Sequence, residues 1–183
     1  MFFSITIICV FVSVGGFCGT AYAERSLEIQ QININAEVLP DASLQVTEYY
    51  TIDFSGQWNG FYVSIPKDGT QITEVQVYEN GTPYEKNNGP EYGPPGTFLV
   101  QDQGDSILID WSIDAQDESR TFALSYRVIN AVKIHQDVAE LYRKFINEAN
   151  QLAVGHVTVK MKLPPGAAEY QQGSDIRIWG HGP

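Results

Sequence analysis

Apolar and polar side chains alternate with a period of two along most of this chain. Leu44, Val46, Glu48, Tyr50, Ile52 and Phe54 fall on one side of an extended segment, and Gln45, Thr47, Tyr49, Thr51 and Asp53 on the other. Phe61, Val63 and Ile65 alternate with Tyr62 and Ser64, and Ile107, Ile109, Trp111 and Ile113 with Leu108, Asp110 and Ser112. Phe122, Leu124, Tyr126 and Val128 repeat the pattern, as do Val157, Val159, Met161 and Leu163 ahead of Pro164-Pro165. This is the signature of half-buried strands. Val75 and Val77 lead into Asn80-Gly81, a strong hairpin signal. Leu27 and Ile29 are out of phase with Ile32, Ile34, Ala36 and Val38, which predicts a bulge near Gln30-Gln31. The expected fold is all-β, an antiparallel β-sandwich of two packed sheets. One segment breaks the rhythm: Val138, Leu141, Tyr142 and Phe145 fall at helical spacing after Asp137, which predicts one short helix over 137–149. Three prolines and three glycines between Asn87 and Gly96 read as a surface loop within a single domain.

The chain opens with an uncharged apolar run, Phe2 to Phe17, followed by Ala21-Tyr22-Ala23. The run is short for a membrane span and ends in small-x-small spacing, so residues 1–23 are expected to be a cleaved signal peptide. No Lys or Arg precedes the run, which keeps an uncleaved anchor as the alternative. Residues 24–183 then form one extracytoplasmic domain. The two cysteines, Cys9 and Cys18, both lie in the leader, so the mature chain has no thiol for a disulfide, a thiolate metal site or a nucleophile. Phe17 directly before Cys18 is a poor lipoprotein context.

All 22 acidic and 11 basic residues belong to the mature part, which carries the full formal charge of −11. That argues against nucleic acid as a partner, because phosphates need a basic surface.

Candidates for chemistry are sparse. His135, Asp137 and Glu140 match no strong zinc spacing. The acidic stretches 102–105 and 114–118 flank one strand and read as polar turns. Asp114, Asp117 and Glu118 are weak candidates for calcium, but without an EF-hand pattern. No Gly-x-Ser-x-Gly or phosphate-binding glycine loop is present. No catalytic residue, metal or cofactor is assigned. Tyr49, Trp58, Tyr62, Tyr78, Tyr84 and Tyr92 fall in outward or loop positions, and Trp58, Tyr62 and Tyr78 are the leading candidates for exposed binding aromatics.

Several segments also occur in one order in a bacterial family. They are YTIDFSGQWNGFYVSIP (50–66), ITEVQVYENG (72–81), FALSYRVINAVKIHQDVAELYRKFI (122–146), VTVKMKLPPGA (157–167) and the terminal HGP. The chain resembles the N-terminal region of predicted membrane proteins known as domain of unknown function 2207. The most specific piece is Asp137-Val138-Ala139-Glu140-Leu141-Tyr142, which makes Asp137, Glu140, Leu141 and Tyr142 the candidate family motif. Arg143 departs from it, standing where members often carry Trp. The resemblance implies an exported β-rich domain, further strands beyond Pro183 and then transmembrane helices. On that view the domain is incomplete at its C-terminal side, and it reaches the membrane only through a region absent from this chain.

Together these features predict a non-catalytic sensing or interaction domain on the outer side of the cell membrane, with a protein or glycan of the cell envelope as partner. A carbohydrate-binding module is the alternative, resting on the aromatics. An extracellular hydrolase using paired carboxylates is a third reading.

Overall fold

The computed structural model describes residues 25–146, 152–164, 166, 169 and 171–180. The expected signal peptide and the terminal His-Gly-Pro lie outside them. Ten strands follow in chain order: β1 (Ser26–Val38), β2 (Leu44–Pro66), β3 (Gln71–Glu79), β4 (Thr82–Pro83), β5 (Glu85–Lys86), β6 (Thr97–Asp102), β7 (Ser106–Ile129), β8 (Val132–Ile134), β9 (Ala139–Leu141) and β10 (Val154–Lys162).

Eight of them form one hydrogen-bonded sheet in the order β10-β1-β2-β7-β3-β4, with β6 also on β7 and β5 on β6. The all-β expectation holds. The details of the sandwich differ, because one sheet doubles back on itself where two separate sheets were expected. The agents are β2 and β7, 23 and 24 residues long. The first half of β2 (Leu44–Phe54) pairs with the second half of β7 (Glu118–Val128). Register then slips between Phe54 and Gln57, and again between Trp58 and Gly60. Gly56 and Asp117 both adopt positive φ at this point (76° and 49°), and the Gly56 amide donates to Asp117 Oδ1 at 2.7 Å. Beyond the bend, Gly60–Pro66 of β2 pairs with Ser106–Ser112 of β7, and β6 joins the far side.

Ring distances prove the fold-over. Tyr50 and Phe61 are eleven positions apart on one strand, which would separate them by about 36 Å if β2 were straight. Their ring centroids lie 6.1 Å apart. Trp111 and Phe122 stand in the same relation on β7, at 5.7 Å. The two halves therefore face each other, and their alternating apolar rows make the core. Trp111, Tyr126, Phe98, Phe122, Leu44 and Ile52 are among its largest fully buried members.

Three further features bear on function. The expected bulge is present as a register shift between Ile29 and Gln31. Asn80 and Gly81 both take positive φ and join β3 to β4. The sheet is mixed: β10 runs parallel to β1, and β5 parallel to β6.

The helix expected over 137–149 is absent from its described part. Residues 132–141 instead form the small β8–β9 hairpin, and 142–146 continue without regular structure, while 147–149 lie outside the described residues. Helical spacing misled because only part of the apolar set turns inward. Leu141 and Phe145 pack on the core, whereas Val138 and Tyr142 stay exposed.

Candidate functional site

Glu48 stands in the middle of the inward row of β2 and is 1% exposed. Tyr50, two residues on and on the same face, donates its hydroxyl to Oε2, and Tyr126 from β7 donates to Oε1 at 2.5 Å. Burial pushes the Glu48 carboxyl above its ordinary range; the two hydroxyls and nearby Arg143 pull the other way. Burial also drives both phenols well above theirs. Arg143 has a side chain only 3% exposed. It donates Nη1 to the Pro66 carbonyl at 2.7 Å, lies 3.6 Å from Asp68 Oδ2 and sits 5.9 Å from the Tyr126 ring centroid. A carboxylate sealed this deeply meets no substrate. The cluster instead ties residues 142–146 to the ends of β2 and β7.

The candidate family motif is thereby presented rather than buried. Asp137 lies exposed in the turn of the β8–β9 hairpin. Glu140 Oε2 approaches His135 Nε2 at 3.6 Å across it. Leu141 is half-buried against the core, and Tyr142 projects into solvent beside the anchored Arg143.

Of the aromatics, Tyr62 and Tyr92 are strongly exposed and Tyr49 moderately so. Trp58 is half-buried: its ring meets Phe54 at 6.0 Å and Arg25 at 4.2 Å, and Nε1 donates to the Ser55 carbonyl. Tyr78 is half-buried on β3. Tyr84, placed outward from the sequence, is buried. It packs edge-on against Phe122 and donates its hydroxyl to Glu79, and burial together with the Glu79 carboxylate pushes its phenol well above the ordinary range.

The stretch 114–118 is not a loop but the bend of β7. Asp117 is engaged by Gly56, and Glu118 lies 3.6 Å from Arg120. Asp102 of the other acidic stretch pairs with Lys67 at 2.6 Å. Among the described residues, no three His, Cys, Asp or Glu side chains converge as a metal site would need.

Two surfaces escaped the sequence reading. The first is β10. Its Val157, Val159 and Met161 pair with Ile32, Ile34 and Ala36 of β1, so they continue the core-facing side of the sheet. Their β1 partners are buried, yet these three and Leu163 are exposed. The outer edge of β10 pairs with no strand among the described residues. The second is Asp110, half-buried on the outer face of β7, directly opposite Tyr62 on β2. Tyr92 hydrogen-bonds to it from the 87–96 loop, and burial raises its carboxyl above the ordinary range.

No helix among the described residues is long and apolar enough to cross a membrane, which says nothing of a β-barrel. A search of characterised proteins returned no match. Among solved structures, the chain is similar to an M1 zinc metallopeptidase from Deinococcus radiodurans, with 12% identity, TM-score 0.34, and coverage of 57% of this chain and 21% of that one. It is also similar to a two-domain M1 zinc metallopeptidase mutant bound to L-arginine, with 10% identity, TM-score 0.41, and coverage of 76% and 33%. The chain thus spans a fifth to a third of those proteins, and likenesses of this size carry no argument. The family model described as predicted membrane protein (DUF2207) N-terminal domain matches residues 28–183. The chain belongs to that family of predicted membrane proteins.

Proposed function

We propose that this chain is a non-catalytic interaction domain held on the outer side of the cell membrane, and that it docks a protein partner of the cell envelope through β10. The observation that carries this reading is the exposed row Val157, Val159, Met161 and Leu163 beside a strand edge that no strand among the described residues pairs. An added strand gains main-chain hydrogen bonds at such an edge and places alternate side chains on such a row. The opposite face of β10 carries His156, Thr158, Lys160 and Lys162, and the strand has no acidic residue in a chain of net charge −11. The fitting occupant is an extended segment with apolar side chains on one face and acidic ones on the other.

The test uses the intact protein in its own cells. Residues 24–183 contain no cysteine, so Thr158→Cys places one thiol in this domain, and its labelling is read against the unsubstituted protein. A membrane-impermeant maleimide is expected to label it in whole cells; labelling only after lysis overturns the outward orientation. A photocrosslinker at position 159 is expected to yield one discrete adduct that Val157→Lys abolishes. No adduct, or one unchanged by Val157→Lys, overturns β10 as the docking edge.

A further inference from the structure

We propose that Tyr62, Asp110 and Tyr92 form a receptor for an alkylammonium group. The site lies on the outer face of the β2–β7–β6 half of the sheet and does not depend on the β10 surface. Tyr62 and Asp110 are cross-strand partners, so their side chains rise together on one face. Tyr92, carried by the 87–96 loop, hydrogen-bonds to the same carboxylate. The two tyrosines are 61% and 70% exposed, which leaves ring surface free beside the carboxylate.

The residue two before Tyr62 on that face is Gly60. A Cβ placed there would stand 3.7 Å from Asp110 Oδ1, so the absent side chain leaves space at the carboxylate. The 87–96 loop that carries Tyr92 is tied in place. Asn87 Nδ2 donates to the Glu91 carbonyl at 2.6 Å, the Gly96 amide to the Ser112 carbonyl at 3.0 Å, and Thr97 Oγ1 to the Pro94 carbonyl at 2.8 Å.

What the carboxylate lacks defines the ligand. Burial and the Tyr92 hydrogen bond act on it in opposite directions, and no cation among the described residues contributes. A partly desolvated carboxylate is stabilised by a positive partner, and tyrosine faces attract the same partner through their ring quadrupoles. A neutral sugar would use the rings but not the charge. An anion is repelled by both the carboxylate and the net charge of −11.

The carrier proposed is a protein lysine, whose flexible four-carbon stem lets a compact ammonium reach the carboxylate between the rings; an amino sugar or an ethanolamine headgroup is the contrary outcome of the test. The deciding probe is n-butylammonium, titrated against the intact chain and followed by NMR, with n-butanol as the neutral isostere. Butylammonium is expected to shift Tyr62, Tyr92 and Asp110 resonances, and butanol to leave them in place. Asp110→Asn is expected to weaken binding at least tenfold, and Tyr62→Leu, at an exposed position, to do likewise without loss of fold. Equal shifts from butanol, or unchanged affinity in both variants, overturn the proposal. Nα-acetyl-lysine amide, which keeps its ε-ammonium, is then expected to bind; binding of a glucosamine oligomer or of phosphatidylethanolamine vesicles without it overturns lysine as the carrier. Equal binding of the N-acetylated oligomer shows that charge is not read and also overturns the proposal.

Discussion

Glu48 stores a pH dependence in the core. Because burial holds its carboxyl above the ordinary value of 4.5, the folded chain binds that proton more tightly than the unfolded chain. Its contribution is therefore full at low pH and declines as pH rises past 4.5. Asp110 acts with the same sign from 3.8 upward. Asp41 and Asp102 are shifted the opposite way, and their effect falls below 3.8. Urea midpoints measured between about pH 5 and about pH 7 thus isolate the raised carboxyls. The parent is expected to lose stability across that window, and Glu48→Gln to lose less; parallel profiles would show that Glu48 is not the source. The alternation of Leu44 to Phe54 was legible and correct, yet the same pattern concealed Glu48 as one more inward position. The available clue was a carboxylate in an apolar row two residues before a tyrosine able to donate to it. Tyr84 was misplaced for the converse reason. It packs on Phe122, remote in the sequence, and its hydroxyl reaches back across the Asn80-Gly81 turn to Glu79, a pairing that local polarity does not announce.

At the scale of elements, periodicity revealed the strands but not their partners. Val157 to Leu163 read correctly as a strand, while nothing in a period of two states that β10 lies parallel to β1 or at an edge. The same limit hid the fold-over, since the halves of β2 (44–54 and 61–65) and of β7 (107–113 and 122–128) read as separate short strands. The β8–β9 segment failed because Arg143 anchors it through Pro66 and Tyr126, contacts that local spacing does not encode. Gly155 is a further element-scale dependency. A Cβ there would stand 2.7 Å from the Gln30 carbonyl oxygen, within the bulge of β1. Gly155→Ala is expected to loosen β10 alone. Amide exchange at 154–162 should quicken while the β2–β7 centre stays protected; unchanged exchange in β10 would contradict the close approach.

For the whole molecule, the core belongs to the doubled-back sheet, and the apolar row of β10 lies outside it. Replacing Val157 and Val159 together by Thr is therefore expected to move stability by no more than about 1 kcal/mol. A loss of several kcal/mol by urea titration would place these residues in the core after all.

The parallel alignment of β1 and β10 also has a mechanical meaning. Ile29 lies beside Val154 and Glu37 beside Lys162, so the chain enters this pair of strands at one pole and leaves it at the other. Tension between Ser26 and Lys162 pulls the two strands lengthwise past each other. Their hydrogen bonds then share the load and yield together in shear, rather than opening one at a time like a zip.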